Sequence, residues 1–313
     1  MEDHIQLTKM KQLLVIGGPT AGGKTTLSIE LAKHLNTVIL SADSRQFYKE
    51  MSIGTAKPNT VEQDGVQHYF IDSHSIHNAL SASSFAEEAM QVLENEFLKH
   101  DTIILTGGSG MFIDALCKGL DDIPHSPEIR DKITQQWKEH GIEFLQDKLK
   151  VADPIYFGQV DLHNPVRIIR ALEAIEITGQ PFSSLRKAEK NNRPFETKYF
   201  IIEHNRESLY ERIDKRVDLM IQNGLIEEVK DLLPFRECNA LNTVGYSELF
   251  QHFNGEMSLV EAIDKIKQNT RNYAKRQITW CRRYTDAIRI HYSGEINTMV
   301  DEIIREISHV NDR

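Results

Sequence analysis

Gly18-Pro19-Thr20-Ala21-Gly22-Gly23-Lys24-Thr25 decides how this chain is read. The octapeptide fits G-x-x-x-x-G-K-[ST] and sits between an apolar run, Gln12–Gly17 (QLLVIG), and a helical pattern, Lys24–Leu35. Glycines at this spacing let successive backbone N–H groups turn inward around phosphate oxygens. The helix that follows adds the partial positive charge of its N-terminus. Lys24 brings a full charge, and Thr25 a hydroxyl suited to Mg²⁺. Such a loop recognises a diphosphate group and not a whole nucleotide. Gly18, Pro19, Thr20, Ala21, Gly22, Gly23, Lys24 and Thr25 are therefore predicted to bind a diphosphate.

Working outward, residues 37–42 (TVILSA) and 102–106 (TIILT) are further short apolar runs, the second closed by Gly107-Gly108. Between them, residues 83–99 show helical spacing through Phe85, Ala89, Val92, Leu93 and Phe97. Short buried strands alternating with helices imply a parallel sheet covered on both faces, with ligands at the carboxyl ends of its strands. The character changes after Gly119. Residues 121–127 (DDIPHSP) and 190–197 (KNNRPFET) are polar, proline-bearing hinges. Between them one helix is well marked: Asn164 as N-cap, Pro165 in the first turn, RIIRALEAIEIT, then Gly179 and Pro181 as a stop. Residues 198–203 (KYFIIE) return to strand character, and 287–292 offer a last strand. The expectation is an α/β protein with a P-loop NTPase-like parallel sheet flanked by helices. Residues 1–120 plus 193–313 would form this core with a helical C-terminal part, and 121–192 a helical insertion domain.

With 40% hydrophobic and 27% charged residues, the 313-residue chain has the composition of a soluble globular protein. It contains nothing near the roughly 18 consecutive apolar residues of a membrane span. Residues 1–11 carry charges and no apolar run, so no secretory signal is expected. Cys117, Cys238 and Cys281 share no metal-like spacing, which suits a reduced cytoplasm. The net charge of −9 argues against a protein that coats nucleic acid indiscriminately. Residues 265–289 reverse that balance locally, with eight Lys and Arg against Asp286 alone. At about 100° per residue, Arg271, Lys275 and Arg282 share one helix face, with Tyr273, Trp280 and Tyr284 opposite. An aromatic stripe on the core and a basic stripe outward would suit phosphate contacts.

Nucleotide-hydrolysing relatives of such loops hold Mg²⁺ with an acid at a strand end. Thr106-Gly107-Gly108 offers no carboxylate there; an acid instead follows the second run, as Asp43 in SADSRQ (41–46). Beside a phosphate site, that carboxylate could act as a base on an acceptor. Gly107, Gly108 and Ser109 fit either a backbone loop close to the substrate or a structural glycine turn at the strand end.

Eight motifs now stand in register: GPTAGGKT, SADSRQFYKEMSIGTAKP (41–58), HYFID (68–72), GGSGMF (107–112), RALE (170–173), GLIEEV (224–229), VGYSE (244–248) and AKRQITW (274–280). Together they resemble the tRNA dimethylallyltransferase family over residues 17–283. The resemblance implies transfer of a dimethylallyl group from dimethylallyl diphosphate to N6 of adenosine 37 in tRNA, with Mg²⁺ assisting. It implies catalytic roles for Asp43 as base, Arg216 (Arg212 second) at the leaving diphosphate, and Thr25 as metal ligand. It also implies tRNA contacts from Asp43, Ser44, Arg45, Gln46, Ser109, Arg130, Arg167, Arg170, Arg271, Lys275 and Arg282. The insertion would grip the anticodon stem-loop, and a cytoplasmic monomer without membrane association is expected. Phe47 and Tyr48 are assigned to core packing and His68 to a structural role. The chain departs from the family pattern at Gly22, where serine is usual, at Ser109, where threonine is usual, and at Ser247, where a basic residue is common. A small-molecule kinase is the rival class; the missing strand-end acid and the basic helix count against it. A free-adenylate isopentenyltransferase would need neither the insertion nor that helix.

Overall fold

The computed structural model describes residues 10–121, 123–186 and 193–308. In chain order the first elements are β1 (Gln12–Gly17), α1 (Lys24–Leu35), β2 (Ile39–Ser41), β3 (His68–Tyr69), α2 (Ala82–Glu96), β4 (Thr102–Thr106) and α3 (Gly110–Lys118). Then come α4 (Pro127–Ala152), α5 (Pro154–Phe157), α6 (Pro165–Thr178) and α7 (Phe182–Leu185). The chain closes with β5 (Glu196–Glu203), α8 (Arg206–Gln222), α9 (Leu225–Asp231), α10 (Tyr246–Phe253), α11 (Leu259–Cys281), β6 (Ile288–His291) and α12 (Ile296–Ser308). Contacts divide it into two compact units, Met1–Cys117 with Arg193–Arg313, and Lys118–Asn192.

The larger unit is built on a six-stranded sheet of order β3-β2-β4-β1-β5-β6, and every pair in it is parallel. β1 is central and wholly buried. Its side chains alternate between faces: Leu13 and Val15 join Phe85, Phe112 and Leu116, while Leu14 and Ile16 join Leu27, Leu31 and Ile303. That is why a strand covered on both faces reads as a continuous apolar run. Two strands differ from expectation. β2 is three residues long, because the ends of the 37–42 run leave the ladder. β3, with two residues, is too short to show a period.

The C-terminal helices pack around Tyr246, Leu225, Val229, Ile266 and Met51. Glu228 on α9 fixes the segment after Met51, accepting from the amides of Ser52 (3.0 Å), Ile53 (2.7 Å) and Gly54 (3.0 Å) and from the Tyr246 hydroxyl (2.6 Å). Gly54 must be glycine here, since a Cβ would lie 2.5 Å from the Tyr246 ring. No helix among the described residues is long and apolar enough to cross a membrane.

The smaller unit is helical. α4 bends at Gly141 (φ 83°), and with α6 it encloses Ile133, Leu145, Leu149, Ile168 and Leu172. The boundary signals of α6 act as read: Asn164 accepts from the Arg167 amide at 3.2 Å, and Gly179 ends the helix at φ 68°. Glu173 is fully buried among these side chains. It accepts from the Ser126 amide (2.8 Å) and from the guanidinium groups of Arg130 (2.8 Å) and Arg170 (3.1 Å).

Candidate active site

The carboxyl ends of β1, β2 and β4 carry the loops of the site, and helices α8 and α11 add Arg212, Arg216, Tyr273 and Gln277. After β1, Gly23 caps α1 in the left-handed region (φ 81°) and supplies no side-chain cap. The first-turn amides of α1 therefore have no intrahelical partner and stay available to an anion. Lys24 donates to the carbonyls of Gly18 (3.0 Å) and Pro19 (2.7 Å), folding its ammonium group over the loop. The cleft above is about 410 Å³, lined by Lys24, Thr25, Asp43, Arg212, Arg216 and Gln277 among others. Burial pushes Lys24 down to about 8, with Asp43 acting against that and Arg216 adding to it. An ammonium so placed is short of counter-charge, and a diphosphate would supply it.

A second cavity of about 170 Å³ lies against the first. Its lining includes Arg45, Thr55, Val217, Met220 and Tyr273, and it shares Thr20, Asp43 and Arg216 with the cleft. Asp43 thus stands in the common wall. Its carboxylate Oδ1 accepts from the Arg45 amide at 3.1 Å, an Asx turn that fixes the side chain. Arg216 donates to the Thr55 carbonyl at 3.4 Å. Burial lowers its guanidinium below the usual range, and Asp43 opposes that. Burial also lifts the Tyr273 phenol to about 12, with the Asp43 charge adding to it.

The segments predicted around Asp43 are brought together. Ser44 donates its amide to Ser109 Oγ at 3.1 Å, joining the ends of β2 and β4. Gly107 allows that approach, since a Cβ there would sit 2.5 Å from the Ala42 backbone. Gln46 lines the cleft, its amide donating to the carbonyls of Thr55 (3.3 Å) and Ala56 (3.4 Å). Arg45 lines the second cavity and reaches the Asn239 and Asn242 carbonyls at 3.5 and 3.4 Å. Phe47 and Tyr48 are buried, and His68 bonds the Val66 carbonyl at 2.9 Å, all as expected.

The basic helix needs correction. Arg271 does not face outward; it pairs with Asp214 of α8 and is half-buried. Lys275 and Arg282 are exposed. Tyr284 is in the core with Trp280 packed on it, but Tyr273 lines the second cavity instead. In the smaller unit, Arg130 and Arg170 are committed to Glu173, and Arg170 also donates to the carbonyls of Ile123 (2.6 Å) and Pro124 (2.8 Å). Arg167 is exposed.

Gln277 was not anticipated as a site residue. It accepts from the Thr20 amide at 2.7 Å and donates to the Gly108 carbonyl at 3.0 Å, bridging the phosphate loop to the end of β4. A signal existed: it follows Tyr273 by four residues, a polar side chain on the helix face that turns inward. Lys215, also unanticipated, lines the cleft.

Among the described residues no group of three or more His, Cys, Asp or Glu could hold a metal by itself. The cleft offers the Asp43 carboxylate and the hydroxyls of Thr25, Ser41 and Thr106. Hard oxygen donors of this kind, few in number, fit Mg²⁺, which keeps waters and takes substrate phosphates as its remaining ligands.

Residues 46–284 match the family model described as IPP transferase. The tRNA dimethylallyltransferase of Christiangramia forsetii is 51% identical over 297 residues, covering 95% of this chain and 98% of that one. That of Cytophaga hutchinsonii is 44% identical over 299 residues, with the same coverage. The crystal structure of the full-length tRNA isopentenylpyrophosphate transferase of Bacillus halodurans superposes with a TM-score of 0.70 at 33% identity, covering 97% of this chain and 100% of that one. A family model spanning most of the chain and relatives aligned over nearly all of it lead to one statement: this chain belongs to the IPP transferase family.

Proposed function

We propose that this enzyme transfers the dimethylallyl group of dimethylallyl diphosphate to the exocyclic N6 of adenosine 37 in tRNA, forming N6-isopentenyladenosine and releasing diphosphate. One observation carries this reading. Asp43 and Arg216 stand in the wall common to two cavities; the cleft is lined by the phosphate loop from Thr20 to Thr25, whereas the second cavity meets that loop at Thr20 alone. A donor diphosphate in the cleft and a base in the second cavity would meet at that wall.

Lys24, Arg212 and Arg216 then face the oxygens on which negative charge grows as the donor C–O bond breaks. The N6 lone pair forms the new C–N bond, and diphosphate departs as the anion already held by the loop. An amine conjugated to a purine is a weak nucleophile, so a base that takes its proton helps; we assign that role to Asp43, whose side chain an Asx turn holds in the wall of both cavities. Thr25 would hold Mg²⁺, with Asp43 near it; when bound, the ion neutralises charge on the leaving group. The side chains of Val217, Met220 and Tyr273 in the lining suit a base drawn out of its stack, at a cost of a few kcal/mol. Exposed Lys275 and Arg282, and Arg167 in the helical insertion domain, would serve tRNA phosphates.

Labelled dimethylallyl diphosphate incubated with unmodified tRNA tests the proposal. Label should pass to the anticodon stem-loop with release of diphosphate. Label passing only to AMP would overturn it.

A further inference from the structure

The carbonyl side of the phosphate loop is held by three side chains that lie outside the loop motif. Arg212 donates from Nε to the Ala21 carbonyl at 2.8 Å, and His204 bonds the Gly22 carbonyl through Nε2 at 3.0 Å. Tyr292 lies between them in space. Its ring stacks on the His204 imidazole, with centroids 4.4 Å apart and planes 24° from parallel, and the Arg212 guanidinium sits 4.6 Å from its centroid. The same ring presses on Gly23, where a Cβ would fall 2.9 Å from Tyr292 Cε2. His204 and Tyr292 directly follow the neighbouring strands β5 and β6, and the Tyr292 amide donates to Glu203 O at 2.9 Å. The stack is thus anchored on the sheet edge and not on the loop.

This arrangement does work the loop cannot do by itself. Ala21 is a non-glycine residue in the left-handed region (φ 58°), a conformation that costs roughly 1–2 kcal/mol unless its surroundings hold it. Its carbonyl is pinned by Arg212, and its methyl packs on Leu209, Ile213 and Ala274. Pinning two successive carbonyls fixes the course of a loop in which the Thr20 amide donates to Gln277 (2.7 Å) and the Gly22 amide to the Pro19 carbonyl (3.1 Å). His204 Nδ1 is buried with no hydrogen-bond partner among the described residues, so the imidazole has one job, the bond from Nε2 to Gly22. Donation through Nε2 requires a proton there, and burial, which lowers His204 below the usual imidazole range, favours the neutral Nε2–H tautomer, which leaves Nδ1 unprotonated. Arg212 lines the cleft as well, so the group that fixes the loop also faces the anion.

We propose that His204 and Tyr292 are positioning residues: they set the shape of the phosphate loop and hold Arg212 toward the leaving diphosphate. The inference rests on the cleft being the diphosphate site, and its test separates the two claims. Inorganic diphosphate is titrated calorimetrically into the full chain, and steady-state KM values for donor and tRNA are measured beside it. Wild-type protein that binds no diphosphate would remove the underlying reading. With binding established, Tyr292→Leu should weaken diphosphate and raise the donor KM about tenfold, the scale of a lost cation–π contact and stack. The tRNA KM should stay within twofold. Tyr292→Phe keeps the ring and should restore wild-type values. Diphosphate affinity within twofold of wild type in Tyr292→Leu, or equal losses for donor and tRNA, would overturn the proposal. Should Tyr292→Leu melt below the assay temperature, the pair His204→Ala and His204→Gln replaces it. The glutamine can still donate to Gly22 and should bind diphosphate more tightly than the alanine; equal affinities in that pair would overturn the proposal too.

Discussion

The most exposing perturbation of this site is pH, because Lys24 is the charge nearest the loop and burial holds it at about 8. The ligand binds the protonated form, so affinity is full below that value and falls as pH rises through it. Between pH 7 and 9.5 the protonated fraction drops from about 0.9 to about 0.03, so affinity should fall about 30-fold if the bound ammonium stays charged throughout. The assay is calorimetric titration of isopentenyl diphosphate, a monoester whose own ionisation is largely complete below pH 8. Lys24→Arg stays charged and should give a flat profile to pH 9.5; Lys24→Met should be weak and flat. Folding reports the opposite sign. The unfolded chain binds this proton more tightly than the fold does, so a destabilisation of roughly 3 kcal/mol is present below pH 8 and disappears by about 10.5. Lys24→Met should accordingly be the more stable protein at pH 7. Wild-type affinity that changes less than threefold from pH 7 to 9.5 would refute the reasoning.

Other outcomes follow from the same contacts. Asp43→Asn keeps the Asx turn but removes the base, so turnover should fall about 10²-fold or more while tRNA affinity holds; unchanged turnover would rule out the assignment. Glu173→Gln leaves Arg130 and Arg170 without their buried carboxylate and should cost about 3 kcal/mol in a thermal or urea melt. Burial works against ionising Glu173, but Arg130, the Ser126 amide and Arg170 hold it below the usual carboxylate range. Its stabilisation is therefore present above the unfolded value of about 4.5 and lost as pH falls below it. Replacing Lys275 and Arg282 together by Glu should weaken tRNA binding and flatten its salt dependence, with no change in diphosphate affinity. Identical salt slopes would clear that helix end of a tRNA role.

What could be read from the chain, and what could not, follows from the range of the forces involved. β1, α1 and β4 have the limits the residues announce, because burial on both faces and the loop between them leave a local trace. Asp43 was legible for a similar reason: an acid that directly follows a short apolar run lies at the carboxyl end of a strand, where such sheets bind their ligands. Arg271 was misplaced because a helical wheel assigns faces without saying what covers them, and here α8 brings Asp214 against that face. Arg130 and Arg170 are a parallel case, satisfied by a carboxylate buried beside them. His204, Tyr292 and Gln277 left little or no local signal. Each reaches the phosphate loop across more than 180 residues of chain; the order of strands in the sheet puts His204 and Tyr292 there, and the packing of α11 puts Gln277 there.

The end of β4 explains why this phosphate loop serves a transferase with its acid elsewhere. A carboxylate at Gly107 or Gly108 would stand where the backbone now touches other chain segments: a Cβ on Gly107 meets Ala42 at 2.5 Å, and one on Gly108 meets Gln277 at 2.1 Å. Removing side chains there lets β2 close on β4 and lets Gln277 reach Thr20, so the acid available to the cleft comes from β2. In that place it also lines the second cavity, whose lining includes no residue from the end of β4. Gly107→Ala tests this directly. The added methyl must push Ala42 and the following Asp43 away from β4, while the loop amides and Lys24 stay where they are. A displacement on the order of 1 Å at a reacting group costs about 10²-fold in rate. The variant should lose turnover on that scale and keep diphosphate affinity within about threefold. Loss of diphosphate binding in proportion to turnover would mean that β2 and the phosphate loop move as one body, and that Asp43 is not placed independently of the anion.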